Sequence, residues 1–328
     1  MSSLFVDRRG VALELEGGAI VFRENNERIG TVPIAPLTRV FLRGDVTLSA
    51  SLLGKLGEQG VGVVVLSGRV GKPSLMLARP HNDASRRVAQ VKKSLDEDFC
   101  LAFARALIER KIERQIEWFD ALRARDMQAR YELTHAMELL KAHQRRLASA
   151  DSLPRLRGIE GAAAACYFDG LKAVVPESWH FKSRNRRPPK DPFNALLSLT
   201  YTLAHAELAI ALYGAGFDPY VGFYHALDFG RESLASDLLE AVRPLCDRFC
   251  LRLVKEQTLS ARDDFSTTES GCLLGKAGRA RYYAAYEGYS EVLRAGIAAE
   301  VDALSERIGH ASEASSCNHD EASSGDFA

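Results

Sequence analysis

Residues 81–151 contain neither glycine nor proline, in a stretch built largely from Ala, Leu, Arg, Glu, Lys and Gln. Glycine and proline are the residues that most readily end a helix, and those present are strong helix formers. Apolar side chains recur there at helical spacing, for example Phe103, Leu107, Ile112, Ile116 and Phe119. This predicts two or more long helices.

Upstream the pattern is the opposite. Short β-like runs at 4–6, 11–15, 19–23, 28–32, 40–42 and 61–66 are broken by Gly17-Gly18, Asn25-Asn26, Gly44-Asp45 and Gly60. One leucine-rich segment at 48–59, opening on Ser49, reads as a short helix between strands. Further helices are expected at about 155–173, 191–213, 233–250 and 278–308. The expected fold class is α+β, mainly α. Residues 1–82 form a small β-rich domain and residues 83–308 an α-helical domain. The tail at 309–328 is Ser, Ala, Asp and Glu with almost no large apolar residue, so it is expected to be disordered.

At 328 residues the chain is long enough for two cores. Its 43 basic and 43 acidic residues cancel, so any nucleic-acid surface must come from local segregation of charge. No signal peptide opens the chain and no apolar run reaches membrane-spanning length, so a cytoplasmic location is expected. The cysteines, Cys100, Cys166, Cys246, Cys250, Cys272 and Cys317, include no CxxC pair and read as reduced, mostly buried thiols. There is no GxxxxGK[ST], HExxH or GxSxG string.

Three segments carry candidate chemistry. Residues 222–244 hold His225 and then Asp237 and Glu240, three residues apart. Imidazole with carboxylates suits Mn²⁺ or Mg²⁺. On a helical wheel Leu234, Leu238, Val242, Leu245 and Phe249 share one arc, and Asp237 and Glu240 fall off it. A solvated polar face accounts for that pattern as well as a metal site does. Ser233 is the expected N-cap, with Gly230 and Pro244 bracketing the helix.

Glu160 is the single charge between Gly158 and Phe168, among Ala, Ile and aromatic residues. Such a carboxylate is costly unless paired or bound to a cation; a partly exposed first-turn residue is the alternative. Gly158, Gly161 and Ala162–Ala165 are small enough to let another helix approach. Tyr167 lies seven residues on, near a site or in the core. His205, on an apolar helix, reads as a satisfied core histidine. The third segment, HFKSRNRRPPK at 180–190, carries Lys182, Arg184, Arg186, Arg187 and Lys190 with no acid, and Pro188-Pro189 keep it extended. That composition suits a phosphate backbone, the alternative being a solvated basic loop.

Together these strings resemble the CRISPR-associated adaptation integrases, which insert new spacers into CRISPR arrays. LRGIEGAAAACYF at 156–168, DPFNALLSLTYTLAH at 191–205 and GFDPYVGFYHALDFGRESLASDLLEAVRP at 216–244 carry the likeness, with KIERQ at 111–115 and the 271–279 stretch fitting more loosely. The resemblance spans roughly residues 4–300. It implies a helical catalytic domain and a homodimer. It also implies a Mn²⁺ or Mg²⁺ held by Glu160, His225 and Glu240, with Asp237 in support. Lys182, Arg184, Arg186, Arg187 and Tyr167 are the implied DNA contacts. The implied partners are double-stranded DNA with 3′ overhangs, CRISPR repeat DNA, a small ferredoxin-like adaptation protein and a prespacer-trimming nuclease. Glu232 stands where proline is usual in this family. A DNA-binding scaffold without chemistry of its own is the competing reading.

Overall fold

The computed structural model describes residues 2–68, 72–76, 84–185, 188–269 and 271–309. Strands β1 (Ser2–Asp7), β2 (Val11–Glu16), β3 (Ala19–Glu24), β4 (Glu27–Pro33), β5 (Leu37–Arg43) and β6 (Val46–Leu48) precede helix α1 (Ala50–Glu58). Strands β7 (Gly62–Ser67) and β8 (Lys72–Met76) follow. Two four-stranded sheets result, ordered β1-β5-β7-β8 and β4-β3-β2-β6. The β2–β3 and β3–β4 hairpins turn through Gly17-Gly18 and Asn25-Asn26, with positive φ at all four residues. Both central residues of a type I′ hairpin turn need that conformation. β6 takes Leu48, so α1 starts after the expected position, capped by the Ser49 hydroxyl accepting from the Leu52 amide at 3.3 Å. β6 and β8 lacked a sequence signal because β6 is three residues long and β8 carries Pro73, which counts against a strand.

The glycine- and proline-free stretch forms α2 (Ser85–Ser94), α3 (Glu97–Arg123) and α4 (Arg130–Leu147). After them come α5 (Leu153–Lys172), α6 (Pro192–Gly214), α7 (Ser233–Lys255), a hairpin of β9 (Phe265–Thr268) and β10 (Gly271–Leu274), and α8 (Lys276–Ile308). The fold is thus mainly helical with a strand-rich start. The hairpin at 265–274 was not anticipated. α7 continues through Pro244 to Lys255, so that proline does not close the helix. The Arg114 guanidinium donates to the nearby Ala241 carbonyl at 2.7 Å.

One apolar cluster lies between the two sheets, around Val6, Leu13, Ile20, Val40 and Leu52. The other fills the helices and takes in Phe41, Val64 and Leu66 from the first sheet. Phe5 stacks between Phe41 and Tyr283 at 4.5 and 4.6 Å, and Arg39 and Arg294 both pair with Glu207 of α6 at 2.9 Å. The first sheet is therefore fastened to α6 and α8 by apolar and ionic contacts alike. The boundary expected at residue 82 lies outside the described residues, as does the tail from 310.

Contrary to the expectation that no apolar run is long enough to cross a membrane, α6 has 23 residues and a window of mean hydropathy 1.4. That window is 67% buried within the protein, as a core helix would be. Cys100, Cys246, Cys250 and Cys272 are buried free thiols and Cys166 is a partly exposed one; Cys317 lies outside the described residues.

Candidate active site

α5 brings Glu160 and α7 brings Glu240 to a point on α3 where the apolar stripe is interrupted by Lys111. The Lys111 ammonium donates to Glu160 Oε1 and, at 2.7 Å, to Glu240 Oε2. Lys111 and Glu240 are both about 5% exposed. Arg243, one turn along α7, brings its Nε to 3.0 Å from Glu240 Oε1 and lays its guanidinium over the Tyr201 ring at 4.6 Å. Two carboxylates and two cations thus neutralise one another in a nearly dry volume. Burial works against ionisation of Glu240, but Arg243 and then Lys111 outweigh it and hold the carboxyl at about 2. Burial likewise disfavours the Lys111 charge, and Glu240 with Glu160 restores it.

Asp237 builds the second half of the site. Fully buried, it accepts from the backbone amides of Phe223, Tyr224 and His225 at 2.7, 3.0 and 2.8 Å, and from His225 Nδ1 at 2.7 Å. A carboxylate already accepting three N–H groups takes a fourth donor, so Nδ1 carries the proton and Nε2 is the ring nitrogen offered to a ligand. The arrangement needs glycine at 222: a Cβ there would stand 2.8 Å from Asp237 Oδ2 and 2.9 Å from the Ser233 backbone. Arg157 fixes the same loop by donating to the Tyr224 carbonyl at 2.6 Å.

The solvated face that periodicity allowed for Asp237 and Glu240 is therefore not what they occupy. Their arc faces α3 and the 222–226 loop, where two cations and three backbone amides satisfy them. Ser233 is the first helical residue and donates to the Ala226 carbonyl at 3.0 Å, so it is not the N-cap; Glu232 holds that position. Of the small residues expected to admit another helix, Ala163 is buried in the helical core, but Gly158 and Gly161 mark no close approach. A Cβ at either meets nothing within 4 Å, whereas Gly170 abuts Ala136 and Phe119.

Tyr167, an expected DNA contact, is fully buried. Its ring stacks on Phe119 at 5.1 Å and its hydroxyl donates to Asp247 Oδ2 at 2.7 Å. The core alternative describes it, because no face of the ring reaches the surface. Arg184 is also turned inward. It donates to Asn194 Oδ1 at 2.8 Å and Ser198 Oγ at 3.2 Å, and lies over Tyr201 at 5.4 Å. It braces the basic loop instead of extending from it. Lys182 is exposed; Arg186 and Arg187 lie outside the described residues. The loop abuts the β9–β10 hairpin, where the Cys272 amide donates to the Pro189 carbonyl at 2.8 Å. Tyr201, flanked by Arg184 and Arg243, places it one side-chain layer from Glu240. His205 is satisfied as expected, 3.3 Å from Glu232 and 3.4 Å from the Ser236 hydroxyl, and burial pushes its pKa down to about 4.

Lys111, Arg243, Tyr201 and Asp247 were missed as participants. Lys111 had a legible signal, since it breaks the buried stripe Leu107, Ile108, Ile112 of α3. Asp247 accepts from Tyr167 and Tyr201 with both oxygens, and burial raises its pKa to about 6 against those bonds and the nearby arginines. The folded state then binds a proton that the unfolded chain has released, so the contribution of Asp247 to stability falls as pH rises from about 4 to about 6, by roughly 3 kcal/mol, while His205, whose pKa folding lowers, contributes the opposite slope in the same range. Asp247→Asn should lack that component. Urea unfolding of both proteins from pH 4 to 7 checks it, and parallel pH profiles would refute it.

Among the described residues no three His, Cys, Asp or Glu side chains form a ready metal cluster. The donor set nevertheless fits a hard divalent cation. Two carboxylates already converge on a positive charge, and an imidazole oriented through Nδ1 influences Glu240 from the adjacent loop.

The family profile of CRISPR associated protein Cas1 matches residues 4–288. The chain belongs to the Cas1 family. It is 38% identical over 310 residues to a CRISPR-associated endonuclease Cas1 of Thermodesulfovibrio yellowstonii, covering 94% of this chain and 97% of that one. It is 31% identical over 295 residues to a Cas4 exonuclease/Cas1 endonuclease fusion of Geobacter sulfurreducens, covering 87% of this chain and 52% of the fusion. Among solved structures, a Cas1 protein of Thermotoga maritima superposes with a TM-score of 0.81 at 21% identity, covering 93% and 96% of the two chains. A casposase bound to integration product gives 0.78 at 21%, covering 94% and 91%. A Cas6-RT-Cas1–Cas2 complex gives 0.76 at 24%, covering 94% of this chain and 35% of that one. These three likenesses establish a Cas1 fold.

Proposed function

We propose that this Cas1-family chain is a metal-dependent DNA endonuclease and integrase that inserts prespacer DNA into a CRISPR array by attack of a 3′-hydroxyl on a repeat-end phosphodiester. The observation that carries this reading is the convergence of Glu160 and Glu240 on one buried cation, beside an imidazole whose Nδ1 is committed to Asp237. Glu160, His225 and Glu240 would hold Mn²⁺ or Mg²⁺. When bound, that cation supplies Lewis-acid polarisation of the scissile phosphate and lowers the pKa of an attacking hydroxyl.

The chain's own residues do the positioning. Asp237 fixes the tautomer and direction of His225, and Arg243 keeps Glu240 ionised. Strands up to residue 76 form the β-rich domain in this reading, and the helices form the catalytic one. Lys182, together with Arg186 and Arg187, is the best remaining choice for the phosphate backbone. The casposase bound to integration product and a Cas1–DNA complex support a DNA substrate, the Cas2-containing complex supports Cas2 as a partner, and the fusion to a Cas4 exonuclease supports a trimming nuclease; in this reading the chain acts as a homodimer and the small ferredoxin-like adaptation protein takes the place of Cas2.

The test is joining of a labelled duplex with 3′ overhangs to a plasmid carrying a leader and repeat, with the partner protein present. Joining with Mn²⁺ and none with chelator is expected. DNA binding with no joining under any metal condition would favour the scaffold reading.

A further inference from the structure

Lys111 is an unusual occupant of its position. Long cationic side chains on a buried helix face are rare unless paired, and this one is paired twice, to the two residues proposed to hold a metal. We infer that Lys111 is a tethered counter-cation: it holds Glu160 and Glu240 together, and must leave at least one of them for a divalent cation to enter. This rests on the metal reading above and adds a competitor within the chain to it.

The argument is electrostatic and steric. Without a cation between them, two carboxylates brought together from α5 and α7 would repel each other. Arg243 neutralises Glu240 from the far oxygen, Oε1, and no ion pair connects it to Glu160. The other oxygen, Glu240 Oε2, is bonded by Lys111, which also bonds Glu160 Oε1. An ammonium bonded to both carboxylates occupies the volume a shared divalent cation requires and places a like charge against it. Lysine suits such a role because its charge sits on a flexible four-carbon stem that can withdraw by a rotamer change, where a planar guanidinium would not. The carboxylates are thereby assembled before metal arrives, at a cost in metal affinity.

The test is Mn²⁺ binding to the full chain, read from the electron paramagnetic resonance signal of free Mn²⁺ at one pH, alongside melting in chelator. Lys111→Met should melt lower than wild type in chelator. It should also bind Mn²⁺ at least ~10-fold tighter, since a single like charge a few ångströms away is worth that much or more in a partly buried site. Lys111→Arg, which keeps the charge, should bind Mn²⁺ no tighter than wild type. If Lys111→Met does not fold, Lys111→Gln, which keeps a donor and loses the charge, is measured in the same way with the same expectation. Unchanged or weaker Mn²⁺ affinity in the folded neutral variant, with wild type binding Mn²⁺, overturns the inference and leaves the metal reading standing. No Mn²⁺ binding by either protein overturns both.

Discussion

Replacing His225 by alanine is expected to lower the rate of strand transfer by about 10²–10³-fold or more, with the protein still folded, because a group aimed at developing charge is worth that much in a water-poor site. The fold should survive because the imidazole is about 20% exposed and supplies only one of the four hydrogen bonds that Asp237 accepts. Circular dichroism and urea unfolding would show stability within ~1 kcal/mol of wild type, the ordinary range for a partly exposed side chain away from the core. Glu160→Ala should behave likewise in the assay, although it also strips Lys111 of one partner and so costs more stability. Joining at the wild-type rate by folded His225→Ala would refute the assignment of this site. Combined with intact DNA binding, it would move the chemistry to another subunit and leave this one as scaffold.

Asp237→Ala is expected to produce the largest loss of stability of any single substitution near the site. It removes the acceptor for three backbone amides of the 222–226 loop, two of them on buried residues, and for His225 Nδ1. Each buried donor left without a partner costs about 1–3 kcal/mol, so a combined loss of about 3–5 kcal/mol is expected after relaxation. That is a large fraction of the roughly 5–15 kcal/mol that holds a typical protein folded. Asp237→Asn preserves volume and one acceptor but turns an N–H₂ toward donors. It should lose less stability, about 2 kcal/mol, while activity falls about 10–100-fold because His225 is no longer held in one orientation. Urea unfolding separates the two variants by stability and the joining assay by rate. If Asp237→Ala unfolded with the wild-type midpoint and slope, the loop would not depend on this carboxylate.

Much of the fold was legible because local chemistry and tertiary structure agreed. Five of the six expected strands fall within observed ones and the sixth, 61–66, overlaps β7 with a one-residue shift, since turn residues with positive φ mark their ends. The absence of breakers between 81 and 151 corresponds to α2, α3 and α4. The misses share a cause. β6, β8 and the 265–274 hairpin are short, and sheet pairing (β6 on β2, β8 on β7, β9 on β10), not the propensity of a few residues, defines them. Pro244 ends no helix because α7 is held by packing on α3, α6 and α8 along its length.

The sequence by itself determined the inventory: a strand-rich start, long helices after residue 84, and His225, Asp237, Glu240 and Glu160 as the residues whose chemistry is out of the ordinary. It could not decide their roles, because a helical wheel reports only which side chains share a face, not what that face meets. The polar arc of α7 meets Lys111, a buried cation 129 positions away in the chain, together with the backbone amides of a loop. Tertiary structure supplied the physical difference between Asp237, saturated by protein donors and orienting His225, and Glu240, which shares a cation with Glu160. It likewise settled Tyr167 in the core, one of the two places the sequence allowed, and turned Arg184 onto Asn194, Ser198 and Tyr201. Burial is a property of what packs against a residue, and that partner is never encoded beside it.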